Sequence, residues 1–106
     1  MKILHIGDVV GAAGCQFLEK HLPSMKRTHH IDLTIVNGEN SAQGNGITKH
    51  SMEQIFSAGA DVITTGNHCF KRRESLAIYD EPMVLRTAVW ARVFARWTSA
   101  PVRWQW

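Results

Sequence analysis

The chain is poor in proline, with 3 in 106 residues, and has only 2 cysteines, Cys15 and Cys69, far apart and in no CxxC or CxxH pattern. That usage excludes a disulfide framework and a thiolate zinc knuckle, and it predicts two reduced thiols. No apolar run approaches the roughly 20 residues that a membrane-spanning helix needs. Met1-Lys2-Ile3 leads into a short apolar stretch with no small-residue cleavage site, so a cytoplasmic protein without a signal peptide is expected. GxxxxGK[ST] is absent, which excludes a nucleotide P-loop. Gly7, Gly11 and Gly14 give GxxxGxxG, which lacks the GxG spacing of the dinucleotide fingerprint. Acidic residues are missing from 82–106, a segment holding Arg86, Arg92, Arg96 and Arg103, whereas residues 1–81 carry 8 Lys+Arg against 9 Asp+Glu. The formal charge of +3 therefore belongs to the tail, and a nucleic-acid reading of the bulk charge does not extend to the rest.

What is present is a composition of 44% hydrophobic and 20% charged residues, that of one small globular domain with a modest core. Lys2–Ile6 reads as a first strand, expected to be buried and parallel, which Gly7-Asp8 ends with turn chemistry. From Gly14 the spacing turns helical, with Phe17, Leu18, His21, Leu22 and Met25 on recurring three- and four-residue steps. Pro23 is expected to kink or interrupt the second half. Asp32 opens a second strand, Leu33–Val36, followed by a Gly- and Asn-rich loop from Asn37 to Gly46 that suits unusual backbone angles near a ligand. A second helix fits Thr48–Ala58, with Thr48 as N-cap, Met52, Ile55 and Phe56 as an apolar stripe and Gly59 closing it. Asp61–Thr65 is the third strand. Lys71–Tyr79 is expected to form a short helix that Glu81-Pro82 breaks. The order predicts βαβ crossovers and a parallel sheet, with any ligand outside the carboxyl ends of the strands.

Each strand hands over to polar chemistry at that end. Asp8 follows the first, Glu39-Asn40 the second and Asn67-His68 the third. Asp8 and Glu39 are hard oxygen donors, Asn40 and Asn67 offer amide oxygens and His68 an imidazole, a set suited to divalent metal and to handling a proton. A carboxylate between two cations can bridge them, and two ions about 3.5 to 4 Å apart can clamp a phosphate and generate hydroxide. His68 is the candidate general acid. An Asp or Asn after a strand is equally ordinary turn or cap chemistry; the repetition at three strand ends is what favours a single site. His5, His21, His29, His30 and His50 show no such placement and are expected in the strand or on surfaces and helix flanks.

Three blocks, Lys2-Ile3-Leu4 with Gly7-Asp8-Val9-Val10-Gly11, then Val36-Asn37-Gly38-Glu39-Asn40, then Thr65-Gly66-Asn67-His68, resemble the amino-terminal part of the YmdB-type metallophosphoesterases, a branch of the calcineurin-like superfamily. Gly44-Asn45-Gly46-Ile47-Thr48 and Gly59-Ala60-Asp61-Val62-Ile63-Thr64 are similar to family segments between them. The resemblance covers residues 1–86, a partial metallophosphoesterase domain, and implies the amino-terminal βαβαβ portion of a four-layer α/β/β/α fold with parallel strands. It implies two divalent metal ions, iron or manganese, and hydrolysis of phosphodiesters including cyclic nucleotides, without a membrane partner and with homo-oligomer formation left open. By position Asp8 and Asn40 would bind one ion, Glu39 would bridge both, Asn67 would bind the other and His68 would donate the proton. Val10 stands where the wider superfamily has the His of DxH, as in this branch. Cys69-Phe70-Lys71 stands where the family tends to have a small residue, a Trp and an acid. Family members are more than twice as long and supply three further His ligands from their later half, while this chain has no His after His68. The expectation is a truncated chain, inactive alone.

Residues 87–106 resemble nothing in the family. Trp90, Trp97, Trp104 and Trp106, all 4 tryptophans, are interleaved there with Arg, as in an out-of-frame or otherwise altered ending. The alternative is a small binding module in which Val84–Trp97 forms a cationic, aromatic helix contacting nucleic acid or membrane, although its polar and apolar faces segregate poorly. That alternative predicts binding to single-stranded nucleic acid or anionic vesicles that falls steeply with salt and vanishes when residues 87–106 are deleted. Fluorescence titration of both forms checks it, and binding unchanged by the deletion removes it.

Overall fold

A computed structural model describes residues 1–43, 45–66, 68 and 73–85, the side chains of 73–75 and 85 excepted. Asn67, Cys69, Lys71, Arg72 and the tail 87–106 lie outside the described residues, and with them the metal role expected of Asn67 and the readings of the tail. The element order is β1 (Ile3–Ile6), α1 (Gly11–His29), β2 (Leu33–Asn37), α2 (Lys49–Ala58), β3 (Val62–Thr64), a 3-10 helix (Arg73–Asp80) and β4 (Val84–Leu85). All strands pair in parallel in the order β1-β2-β3-β4, with Ile6 opposite Val36, Asn37 opposite Thr64 and Ile63 opposite Val84. The expected βαβαβ portion is thus present. Its sheet and helix layers are two of the four layers that the family resemblance implies.

Period-2 alternation sorts the strands between two clusters. Leu4, Ile6, Val36, Ile63 and Val84 join Leu18 and Leu22 of α1 and Met52, Ile55 and Ala58 of α2, so both helices cover one face. Leu33, Ile35 and Val62, with Met83, form a second cluster on the other face. Helix α2 forms as its sequence requires. Thr48 accepts from the Ser51 N–H, the Ser51 side chain accepts from the Thr48 N–H, and Gly59 closes the helix at φ 117°.

Four expectations are corrected. β1 is not buried: among the described residues it pairs only with β2, and Ile3 is 42% exposed. Helix α1 starts at Gly11 and runs through Pro23 to His29 without interruption. The hydrogen bond that Pro23 cannot donate is outweighed by what lies on either side. Leu18 and Leu22 are buried, and Lys26 Nζ beyond the proline donates to the Gly59 carbonyl at 2.6 Å and to Asp61 at 3.2 Å. The buried positions of α1 are Cys15, Leu18 and Leu22, whereas Phe17 is 61% and Met25 39% exposed; with His21 they line an open apolar groove of about 350 Å³. Finally, Val84–Leu85 is a strand, so no helix begins at Val84. The short helix expected over Lys71–Tyr79 is present in its described part, as the 3-10 helix. Cys15 is a free, buried thiol, and burial pushes its pKa up, with the Glu19 charge adding to the effect. Among the described residues no helix is long and apolar enough to cross a membrane.

Strand register is set by the same device twice. Asp32, before β2, donates its N–H to the Lys2 carbonyl at 2.9 Å and accepts the Lys2 N–H on Oδ2 at 2.6 Å. Asp61, before β3, donates to the Thr34 carbonyl at 2.9 Å and accepts the Thr34 N–H at 2.7 Å. Thr34 itself is fully buried, and its hydroxyl has no hydrogen-bond partner among the described residues. These facts predict opposite signs for two neighbouring variants. Asp61→Ala leaves the buried Thr34 N–H unpaired and strips Lys26 of its counter-charge, and it is expected to cost about 2 kcal/mol. Thr34→Val removes the unsatisfied hydroxyl and is expected to stabilise by about 1 kcal/mol. Urea denaturation of both variants beside the parent checks this.

Candidate active site

Beyond the sheet's carboxyl edge the three loops stay paired. Val9 N–H donates to the Asn37 carbonyl at 3.0 Å, Gly11 N–H to the Asn40 carbonyl at 2.9 Å, and Gly38 N–H to the Thr64 carbonyl at 3.0 Å. Asn37 turns the β2 loop by accepting the Glu39 N–H on its own side chain at 3.1 Å. Ser41 holds the next turn, donating to the Gly38 carbonyl at 2.8 Å, with the Ser51 hydroxyl of α2 2.9 Å away. The result is a rigid base from which Asp8, Glu39, Asn40 and His68 project. Asp8 holds φ at +21°, an angle that Asp tolerates better than most side chains.

Those four residues form one connected chain. Asn40 Nδ2 donates to Asp8 Oδ1 at 2.7 Å, which orients the amide so that its oxygen faces His68 Nδ1 at 2.8 Å. His68 Nδ1 is then the protonated nitrogen, because the Asn40 oxygen can only accept. The His68 backbone N–H donates to Glu39 Oε2 at 3.3 Å, and Nδ1 lies 3.9 Å from the same oxygen. His68 and Glu39 side chains are 26% and 17% exposed, so the chain is sheltered without being sealed. Beside it opens a pocket of about 380 Å³ lined by Val10, Gly11, Asn40, Ala42, Gln43, Asn45 and His68. The apolar groove along α1 reaches the site at Asp8 and shares Val10 with the pocket.

The structure therefore brings together Asp8, Glu39, Asn40 and His68 of the five candidates, the fifth being Asn67. The other histidines are elsewhere: His5 in β1, His21 in the α1 groove with its ring 4.3 Å from that of Phe17, His29 and His30 at the end of α1, and His50 in α2. Gln43 and Asn45 are pocket residues that sequence reasoning did not single out; the Gly- and Asn-rich composition of their loop was the available signal. Among the described residues no three of His, Cys, Asp and Glu converge as metal ligands. Asp8 Oδ1 accepts from Asn40, and Glu39 Oε2 accepts from the His68 backbone. Two carboxylates, an amide oxygen with a second lone pair and an imidazole suit a divalent ion, as part of a cage rather than a whole one.

The fold and the site define an α/β protein with carboxylate, amide and imidazole groups gathered at the carboxyl edge of a parallel sheet, where such sheets bind their ligands. The chain belongs to the YmdB-like protein family, whose model matches residues 4–93. It is 39% identical over 89 residues to the 2′,3′-cyclic-nucleotide 2′-phosphodiesterase of Bacillus subtilis, a match covering 83% of this chain and 34% of that protein. Among solved structures it resembles a novel phosphatase from Mycoplasma pneumoniae, with TM-score 0.77, 33% identity, and 81% of this chain and 31% of that one covered. A hypothetical protein from Thermus thermophilus matches with TM-score 0.75 and 36% identity over 81% of this chain and 33% of that one. The chain thus spans about a third of the length of these relatives.

If Asn40 orients His68, Asn40→Ala is expected to release the ring from a single tautomer. The ¹⁵N shifts of His68 in labelled protein at a pH where the ring is neutral would move from one dominant form toward a mixture. Shifts identical to the parent's would show that something other than Asn40 holds the ring.

Proposed function

We propose that the chain carries the amino-terminal part of the active site of a metal-dependent phosphodiesterase acting on cyclic nucleotides. The observation that supports this most directly is the linked set Asp8–Asn40–His68–Glu39 at the ends of three parallel strands. The name of the Bacillus subtilis relative supports the substrate class. In this reading Asp8, Glu39, Asn40 and Asn67 would hold two divalent ions. Bound divalent ions would supply a nucleophile from water and neutralise charge on the phosphoryl group.

The chain's own residues do the rest. Asp8 fixes Asn40 through Nδ2, and Asn40 fixes His68 through Nδ1, which leaves Nε2 for the substrate; in the imidazolium form of the ring, with Nδ1–H still held by Asn40, Nε2 carries the proton that passes to the leaving oxygen. The adjoining pocket, with the side chains of Gln43 and Asn45 on its wall, accommodates the rest of the substrate. Because the described donors make up part of a two-metal cage, the chain alone is expected to be nearly inactive, with slow residual turnover at most.

The test is hydrolysis of 2′,3′-cyclic AMP and of a chromogenic phosphodiester by the purified chain with manganese or iron(II). Slow turnover abolished by chelator and reduced about 10²- to 10⁴-fold in His68→Ala is expected. Turnover that survives both chelation and His68→Ala would sink the assignment. Manganese binding followed by electron paramagnetic resonance supplies a second reading, expected to weaken in Asp8→Asn and Glu39→Gln.

A further inference from the structure

Gly66 lies between β3 and His68, and its φ is outside the left-handed range, so backbone freedom does not explain a glycine there. What surrounds it does. A Cβ built at Gly66 would meet Cδ and Oε1 of Glu39 at 2.8 Å with Oε2 closer still, and its three nearest atoms all belong to that one carboxylate. Gly38 differs in kind, since a Cβ there would meet Ile47, Ile55 and Ile63 of the core at 3.1 to 3.3 Å, and Gly7 has nothing within 4 Å.

We propose that Gly66 is a positioning residue for Glu39: the space its missing side chain leaves is the seat of the Glu39 carboxylate. The seat is closed from two sides. Asn37 Oδ1 holds the Glu39 backbone N–H at 3.1 Å, fixing where the side chain starts. The His68 N–H, two residues beyond Gly66, donates to Oε2 at 3.3 Å and fixes where it ends. The acid of the β2 loop is thereby laid against the backbone of the β3 loop, with both its oxygens against Gly66. Any side chain at position 66 would evict the carboxylate; as the far end of a flexible side chain that is 17% exposed, it has somewhere to go, so the fold survives and the geometry does not. The inference rests on the metal-binding reading of Glu39 for its consequence, but not for the seat itself.

The experiment compares the full chain with Gly66→Ala, Glu39→Ala and the double variant by thermal melting, by the His68 amide resonance without metal, and by affinity for manganese alone. Gly66→Ala is expected to melt near the parent, to shift the His68 amide as Glu39→Ala does, and to weaken manganese binding roughly 10- to 100-fold. Adding Gly66→Ala to Glu39→Ala is expected to cost nothing further, since the two changes act through one contact. A folded Gly66→Ala variant with parental His68 amide and manganese affinity overturns the proposal, as does a further loss in the double variant. Should Gly66→Ala fail to fold, a folded double variant supports the seat and an unfolded one overturns it. If the parent binds no manganese, the metal reading of Glu39 fails, while the amide comparison still decides the seat.

Discussion

Parallel register is the constraint on which the rest of this structure depends. A parallel ladder slipped by one residue sends every side chain to the opposite face, and here both faces carry buried clusters. Asp32 and Asp61, each just before a strand, clamp the backbone of the residue opposite through one N–H and one carboxylate oxygen. Lys26 ties the second clamp to the end of α2, so the two helices and the sheet are registered at the edge remote from the site. With that edge pinned, Ile6, Asn37 and Thr64 leave the sheet at nearly the same level, and the loops that follow start side by side.

The site is a consequence of that alignment. Asn40 can bridge Asp8 and His68, from loops 32 and 28 residues away in sequence, only because β2 lies between β1 and β3. The chain of contacts orients the amide, the imidazole and one oxygen of each carboxylate before any cation arrives, and ligands held by neighbours lose less freedom on binding.

Much of this was legible from residue patterns. Thr48 and Gly59 delimit α2 because capping and the left-handed turn are local effects, decided within four residues of chain. The strand-end residues Asp8, Glu39, Asn40 and His68 could be picked out because a parallel sheet puts the ends of successive strands at one edge. The failures share a cause as well. Pro23 breaks a helix in isolation, yet here Leu22 and Lys26 are held by partners about 30 residues on, which local propensity does not see. β4 has two residues and no pattern of its own, so only pairing with Ile63 and Thr64 defines it. β1 reads as a buried strand from its isoleucines, but exposure depends on what lies beside it in space.

By itself, then, the sequence determined the kinds of element, their caps and the chemical character of the three loops, since each follows from short-range sterics, hydrogen bonding and apolar period. Only the tertiary structure decided that the Asn40 amide points its nitrogen at Asp8 and its oxygen at His68, and that the Glu39 carboxylate rests where Gly66 has no side chain. Those are contacts between segments far apart in the chain, and their geometry is set by register and packing, which no single stretch of residues encodes.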